Sequence, residues 1–272
     1  MRICGALCLV SVAAAVAVAA PIASAAPPLP NSIAAIGDSM TQAADVCCWY
    51  GDHPAQSWST GGGAFDAISS HYERILALKP SVYGHNYNDS VSGAKMRDAQ
   101  TQAQAAVTQR ARYVTILMGA NDLCTGSVTT MTAPETFRAQ FSAAMETLAS
   151  GLPQGAHVFV SSIPNVYLLY QLFKDNATAQ FIWSLAGICQ SLLSPSNTDA
   201  DRQAVVEREL QLNAILGEVC GLYSFCLFDN NATYHYPFTS AHVSKLDYFH
   251  PSLAGQATLA QLTWQNSWWP TE

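Results

Sequence analysis

The sequence predicts one α/β domain, a flavodoxin-like three-layer α/β/α sandwich with a central parallel sheet. Three observations lead there. Short runs of small and β-branched apolar residues alternate with longer segments of helical period. The run at 113–118 is apolar on both faces apart from Thr115, as a strand in the middle of a covered parallel sheet must be. No Gly/Ser-rich or Pro-rich tract and no internal repeat divides the chain, so the alternating strands and helices belong to one sheet with helices on both faces.

Residues 1–25 carry one charge, Arg2, then an Ala/Val-rich apolar run that ends in Ala23-Ser24-Ala25. This is the pattern of a secretory signal peptide cleaved after Ala25. The rival reading is an uncleaved membrane anchor, since the apolar run is nearly long enough to span. A lipoprotein is disfavoured because Cys8 precedes most of that run. The expected mature domain is 26–272, and loss of Arg2 takes the formal net charge from −7 to about −8.

An acidic chain with four lysines is a poor nucleic-acid binder and lacks the basic patch that holds proteins on anionic lipid. No later segment is apolar for long enough to span a bilayer, so no stable membrane insertion is expected once the leader is removed. The expected location is outside the cell, with cell-wall association open. The expected state is a monomer.

Six cysteines remain in the mature chain: Cys47, Cys48, Cys124, Cys189, Cys220 and Cys226. An even number in an exported chain argues for disulfides, and their pairing stays open at this level. Adjacent Cys47 and Cys48 would make a strained bond with each other, so each is expected to reach a different partner. Neither paired Cys-x-x-Cys nor His-Glu-x-x-His occurs, and no metal or other cofactor is expected.

In chain order, residues 32–36 form a buried strand that stops at Gly37-Asp38-Ser39. A serine is thereby presented at a carboxyl strand end, where open α/β sheets keep their sites. The loop 42–63 carries Trp49, Tyr50 and Trp58, and its Gly61-Gly62-Gly63 lacks the Lys-Ser/Thr of a phosphate loop. A helix is expected over 64–78, with Phe65, Ile68, Tyr72, Ile75 and Leu76 on one face, then a strand near Val82 and a helix over 95–110. After the strand at 113–118, Thr132-Ala133-Pro134-Glu135 reads as a capping box. It opens a helix whose buried stripe is Phe137, Phe141, Met145 and Leu148. A strand at 157–161, an apolar stretch at 166–173, helices over 179–193 and 201–219, a strand at 225–228 and a helix over 252–264 complete the chain.

Asp247 and His250, three residues apart near the C-terminus, can share one turn. There a carboxylate bonds one imidazole nitrogen and leaves the other free for a serine hydroxyl. Between them and Gly37-Asp38-Ser39-Met40 lie Val91-Ser92-Gly93-Ala94 and Met118-Gly119-Ala120-Asn121-Asp122. These four blocks, in this order over nearly the whole mature chain, resemble the SGNH (GDSL) family of serine esterases and lipases. The α/β-hydrolase elbow Gly-x-Ser-x-Gly is absent.

The resemblance implies the SGNH hydrolase fold and a carboxylic ester hydrolase. Ser39 would be the nucleophile, His250 the base and Asp247 its orienter, with Ser39, Gly93 and Asn121 supplying the oxyanion donors. Gly93 is expected because a side chain there would crowd the tetrahedral centre. Asp38 and Asp122 are expected to brace their loops, and His242 is the one rival base. Trp49, Tyr50, Trp58, Phe249 and the stretch at 166–173 are candidates for an apolar acyl pocket. The wording around Ser39, Ser57-Trp58-Ser59 and Asn121 is similar to the phospholipase B-like branch, which implies lipid or phospholipid esters as substrates. Acetyl esters of carbohydrates are the alternative within the family. A secreted binding protein that lost turnover is the alternative outside it, although no residue of the four blocks is missing.

Overall fold

The structure, a computed structural model, describes residue 1 and residues 26–270. The predicted leader therefore lies outside the described residues. Five parallel strands form the sheet: β1 Ile33–Gly37, β2 Asn86–Asn88, β3 Tyr113–Leu117, β4 His157–Val160 and β5 Cys226–Phe228. Their order is β2-β1-β3-β4-β5, so the chain runs outward in one direction from β1 to β2 and returns in the other for β3. The carboxyl ends of β1 and β3 flank this reversal, the place where such sheets open a crevice.

Ten α-helices accompany the strands among the described residues: α1 His71–Leu78, α2 Ala99–Thr108, α3 Ala120–Leu123, α4 Pro134–Gly151, α5 Val166–Phe173, α6 Ala177–Ala186, α7 Gln190–Leu193, α8 Asp199–Cys220, α9 Ala232–His235 and α10 Leu253–Gln265. The period-2 alternation of the strands decides which face each residue serves. Ala34, Ile36, Val114, Ile116, Val158 and Val160 pack against the layer that includes Ala103, Phe141 and Leu216 of α2, α4 and α8. Ile33, Tyr113 and Phe159 face the other way, onto Ile75 of α1 and Trp264 of α10. The three-layer sandwich expected from the sequence is the observed fold.

Local departures have physical causes. Helix α1 begins at His71 instead of residue 64, because Ser70 and Glu73 form a capping box there. Phe65 and Ala67, which would have been inside the helix, are left-handed at φ 64° and 61°, and Phe65 is fully exposed. Around Val82 the chain makes a 3-10 turn, Pro80–Val82, and the edge strand forms later at β2. Thr132 caps no helix: its hydroxyl donates to Asp122 Oδ1 at 2.6 Å, and α4 starts from Pro134 with Ala133 as an N-cap that makes no side-chain bond. The expected helix over 179–193 breaks into α6 and α7 at Gly187 and Cys189, both left-handed.

Cys189 is bonded to Cys124, and Cys220 to Cys226. The expectation that Cys47 and Cys48 each reach a different partner is not met. Among the described residues both are free thiols, and their sulfurs lie 2.8 Å apart. No helix among the described residues is long and apolar enough to cross a membrane.

Candidate active site

The carboxyl end of β1 is held by a side chain from α2. Gln102 accepts from the Gly37 N–H at 2.8 Å and donates to the Gly37 carbonyl at 3.0 Å, all buried. The strand then turns sharply: the Asp38 carbonyl accepts the N–H groups of Thr41 and Gln42, and Asp38 Oδ1 accepts the Met40 N–H at 2.9 Å. A Cβ at Gly37 would stand 2.4 Å from Thr41 Oγ1 and 2.9 Å from the Leu117 carbonyl, so the turn requires glycine there. Burial raises the Asp38 carboxyl to about 7, against the opposing pull of the Met40 N–H and the His250 charge. Its Oδ2 has no hydrogen-bond partner among the described residues.

Ser39, nearly buried, is met by His250, whose Nε2 lies 2.8 Å from Ser39 Oγ. The segment carrying His250 is a closed loop. Val243 and Pro251 form an antiparallel bridge, the Ser244 N–H donates to the His250 carbonyl at 2.8 Å, and Tyr248 turns through a left-handed φ of 57°.

Within this loop Asp247 makes three bonds. Its Oδ1 accepts the N–H groups of Phe249 and His250 at 2.9 and 3.1 Å, and its Oδ2 pairs with His250 Nδ1. Burial alone would raise Asp247, yet the bond and charge of His250 and the two backbone donors hold it below the ordinary carboxylate value. Burial likewise pulls His250 down, and the Asp247 bond and charge, followed by Asp45 and Asp38, outweigh it and hold the imidazole above its ordinary value.

Asn121 lies in α3, directly after β3. Gly119 enters that turn at φ 128°, packed so closely on Ile163 that a Cβ would fall 2.6 Å from its Cδ1. Asn121 Nδ2 donates to the Ala94 carbonyl at 3.0 Å, and Asp122 Oδ2 accepts the Met96 N–H at 2.9 Å. These bonds tie the β3 end to the loop that carries Gly93. Gly93 is left-handed at φ 82°, and a Cβ there would meet nothing within 4 Å. Its backbone conformation, not crowding by protein atoms, is what favours glycine.

A cleft with ≈ 740 Å³ of empty space, part of it open to solvent, runs from Ser39 and Asn121 between Leu168, Leu169 and Leu172 of α5 and Phe249. Of the apolar stretch at 166–173, Val166, Leu168, Leu169 and Leu172 line it, together with Phe249. Trp49 and Tyr50 do not: both are about two-thirds exposed, Trp49 lying with its ring tilted by 49° against that of His53 and Tyr50 donating to the Leu246 carbonyl at 3.0 Å. Trp58 turns into the core instead and donates to Thr41 Oγ1 at 3.2 Å. His242 lies on the cleft wall, its Nδ1 accepting the Thr239 N–H.

One residue at the centre went unnoticed in the sequence. Asp45 Oδ2 lies 3.8 Å from His250 Nδ1. Asp45, Asp247 and His250 bring ligand atoms within 4.8 Å of one another, close enough for a cation. His250 Nδ1 and Asp247 already satisfy each other, so an ion there would have to displace that bond.

A parallel sheet of this order, with a serine, an imidazole and a carboxylate joined in sequence at its switch point, has the architecture of an SGNH-type hydrolase. Residues 33–263 match the family model described as GDSL-like Lipase/Acylhydrolase, and the chain belongs to that family of carboxylic ester hydrolases. Among solved structures, an α/β hydrolase enzyme, LAE5, from the metagenome of Lake Arreo, Spain, is 17% identical, with 89% of this chain and 96% of that chain covered at a TM-score of 0.55. The acetyl xylan esterase AlAXEase is 14% identical, with 86% of this chain and 98% of that chain covered at a TM-score of 0.51. At these identities the likeness is one of fold. No curated protein matches the chain.

Proposed function

We propose that the protein is a secreted serine esterase that cleaves acyl esters of lipids through an acyl-enzyme on Ser39. The observation that carries this reading is the contact of 2.8 Å between Ser39 Oγ and His250 Nε2 at the mouth of the leucine-lined cleft. His250 takes the Ser39 proton as Oγ attacks the ester carbonyl, and Asp247 holds the imidazole by its Nδ1 and stabilises the imidazolium. The N–H groups of Ser39 and Gly93 and the Asn121 amide receive the oxyanion, and each is worth roughly 10²- to 10³-fold in turnover. The proton then passes from His250 to the leaving alcohol, and water activated by the same base releases the acid.

The apolar lining of the cleft supports an acyl chain as the group bound there. The two disulfides support export, in keeping with a leader over 1–25.

Rates on nitrophenyl esters from acetyl to palmitoyl, with a phospholipid alongside, test the substrate. The expected result is a maximum beyond butyryl and release of fatty acid from the phospholipid. A sharp maximum at acetyl would overturn the lipid reading and favour deacetylation of a carbohydrate, the activity named for AlAXEase. No turnover on any ester would favour a binding protein.

A further inference from the structure

Building on the acyl-transfer reading, we propose that Asp45 is a second carboxylate partner of the base. It is a positioning residue that, beside Asp247, holds the His250 imidazole and stabilises the imidazolium. Its Oδ2 faces His250 Nδ1 at 3.8 Å, with both side chains under one-fifth exposed (17% and 16%). A charge so placed acts through less solvent than a surface charge does.

The loop is built to keep it there. Asp45 is left-handed at φ 53°, a conformation that few residues besides Gly, Asn and Asp adopt. Its N–H donates to the Gly51 carbonyl at 2.8 Å, and its Oδ1 accepts the Gly51 N–H at 2.6 Å. Residues 45–51 therefore close on themselves, with Oδ1 engaged at the neck and Oδ2 turned to the imidazole. The same loop is bound to the one carrying the base: Ser244 Oγ donates to the Asp45 carbonyl, and Tyr50 Oη to the Leu246 carbonyl at 3.0 Å. These bonds give the exposed Tyr50 a place in the site that the cleft does not.

The charged groups facing His250 are Asp247, Asp45 and Asp38, and those facing Asp45 are Asp247 and His250. In the attack step the Ser39 proton moves to His250 Nε2, the Oγ–C bond forms and the carbonyl π pair moves onto oxygen. No proton passes to Asp45; its charge, with that of Asp247, offsets the imidazolium. The two carboxylates divide their roles. Burial first, then the Asp247 charge, holds Asp45 above the ordinary carboxylate value, while Asp247 sits below it. As pH falls, Asp45 protonates before Asp247, and the second negative charge on the base is withdrawn.

The test is Asp45→Asn, which keeps an acceptor for the Gly51 N–H and removes the charge. The His250 imidazole is titrated by NMR in the wild type and the variant, beside pH profiles of kcat/KM on nitrophenyl butyrate. Loss of the charge should lower the His250 pKa by about half to one unit. The acid limb of kcat/KM should move down by the same amount, kcat on the plateau should fall ~3- to 10-fold, and KM should hold. An unmoved His250 titration in folded Asp45→Asn overturns the proposal.

Should the variant not fold, the wild-type titration decides. The His250 ring signal should show a second, acid-side inflection as Asp45 protonates, and a single inflection overturns the assignment. The NMR reading needs no substrate, so a wild type that hydrolyses no ester would sink the acyl-transfer reading alone.

Discussion

Asp247→Asn separates the charge of the orienting residue from its shape. The structure gives the native side chain three bonds: two backbone donors on Oδ1 and the His250 ring on Oδ2. An asparagine can keep Oδ1 under the Phe249 and His250 N–H groups, so the closed loop should survive. Its amide nitrogen then faces His250 Nδ1, which must become an acceptor, and the ring proton moves to Nε2. That nitrogen stands 2.8 Å from Ser39 Oγ, and as a donor it can no longer take the serine proton. The wrong tautomer and the lost imidazolium partner together should cost about 10⁴-fold in kcat, or about 5.5 kcal/mol of transition-state stabilisation. The assay is kcat on a nitrophenyl ester near pH 8, with melting and circular dichroism to show an intact fold. A loss under about 10-fold in a folded variant would refute the reasoning, since Asp247 would then matter only for loop geometry.

Gln102→Leu should destabilise the domain by roughly 1–3 kcal/mol, because it strands the buried N–H of Gly37, while the Gly37 carbonyl keeps the Val91 N–H; urea unfolding measures it, and a change under 0.5 kcal/mol would contradict the brace. Glu209 is buried in α8, with Oε1 on the Val166 N–H at 3.1 Å, and burial holds its carboxyl well above the ordinary value despite that bond. The folded chain therefore keeps this proton while the unfolded chain releases it above its ordinary pKa, so stability declines as pH rises from there, by up to about 1.4 kcal/mol per unit. Glu209→Gln should remove that decline, and melting curves at pH 5 and pH 8 that fall equally in both proteins would contradict it.

Much of this molecule is written in local signals. The sheet was legible because β3 and β4 are buried on both faces and read as continuous apolar runs. The meeting of Ser39 with His250 and Asp247 was legible as a set because each residue follows a strand end or sits in a short loop. The start of α1 was open to a local reading, through the Ser70-x-x-Glu73 capping box; the other misses depend on contacts distant in sequence.

The same holds in the loop 42–63. Trp49 and Tyr50 have the composition of a pocket wall, yet Tyr50 is drawn outward by Leu246, 196 residues away. Asp45 carries no motif at all, and its position follows from a left-handed backbone and from Ser244, 199 residues on. Pairing of Cys124 with Cys189 was equally beyond reach, since it depends on how α6 and α7 fold back after Gly187.

Labelling with a fluorophosphonate probe measures most directly whether the Ser39 hydroxyl is an activated nucleophile served by His250. The account predicts one covalent adduct per chain, located at Ser39 by peptide mass, absent in Ser39→Ala and slowed at least 100-fold in His250→Ala. An adduct that persists at full rate in either variant, or that maps to another residue, would contradict it.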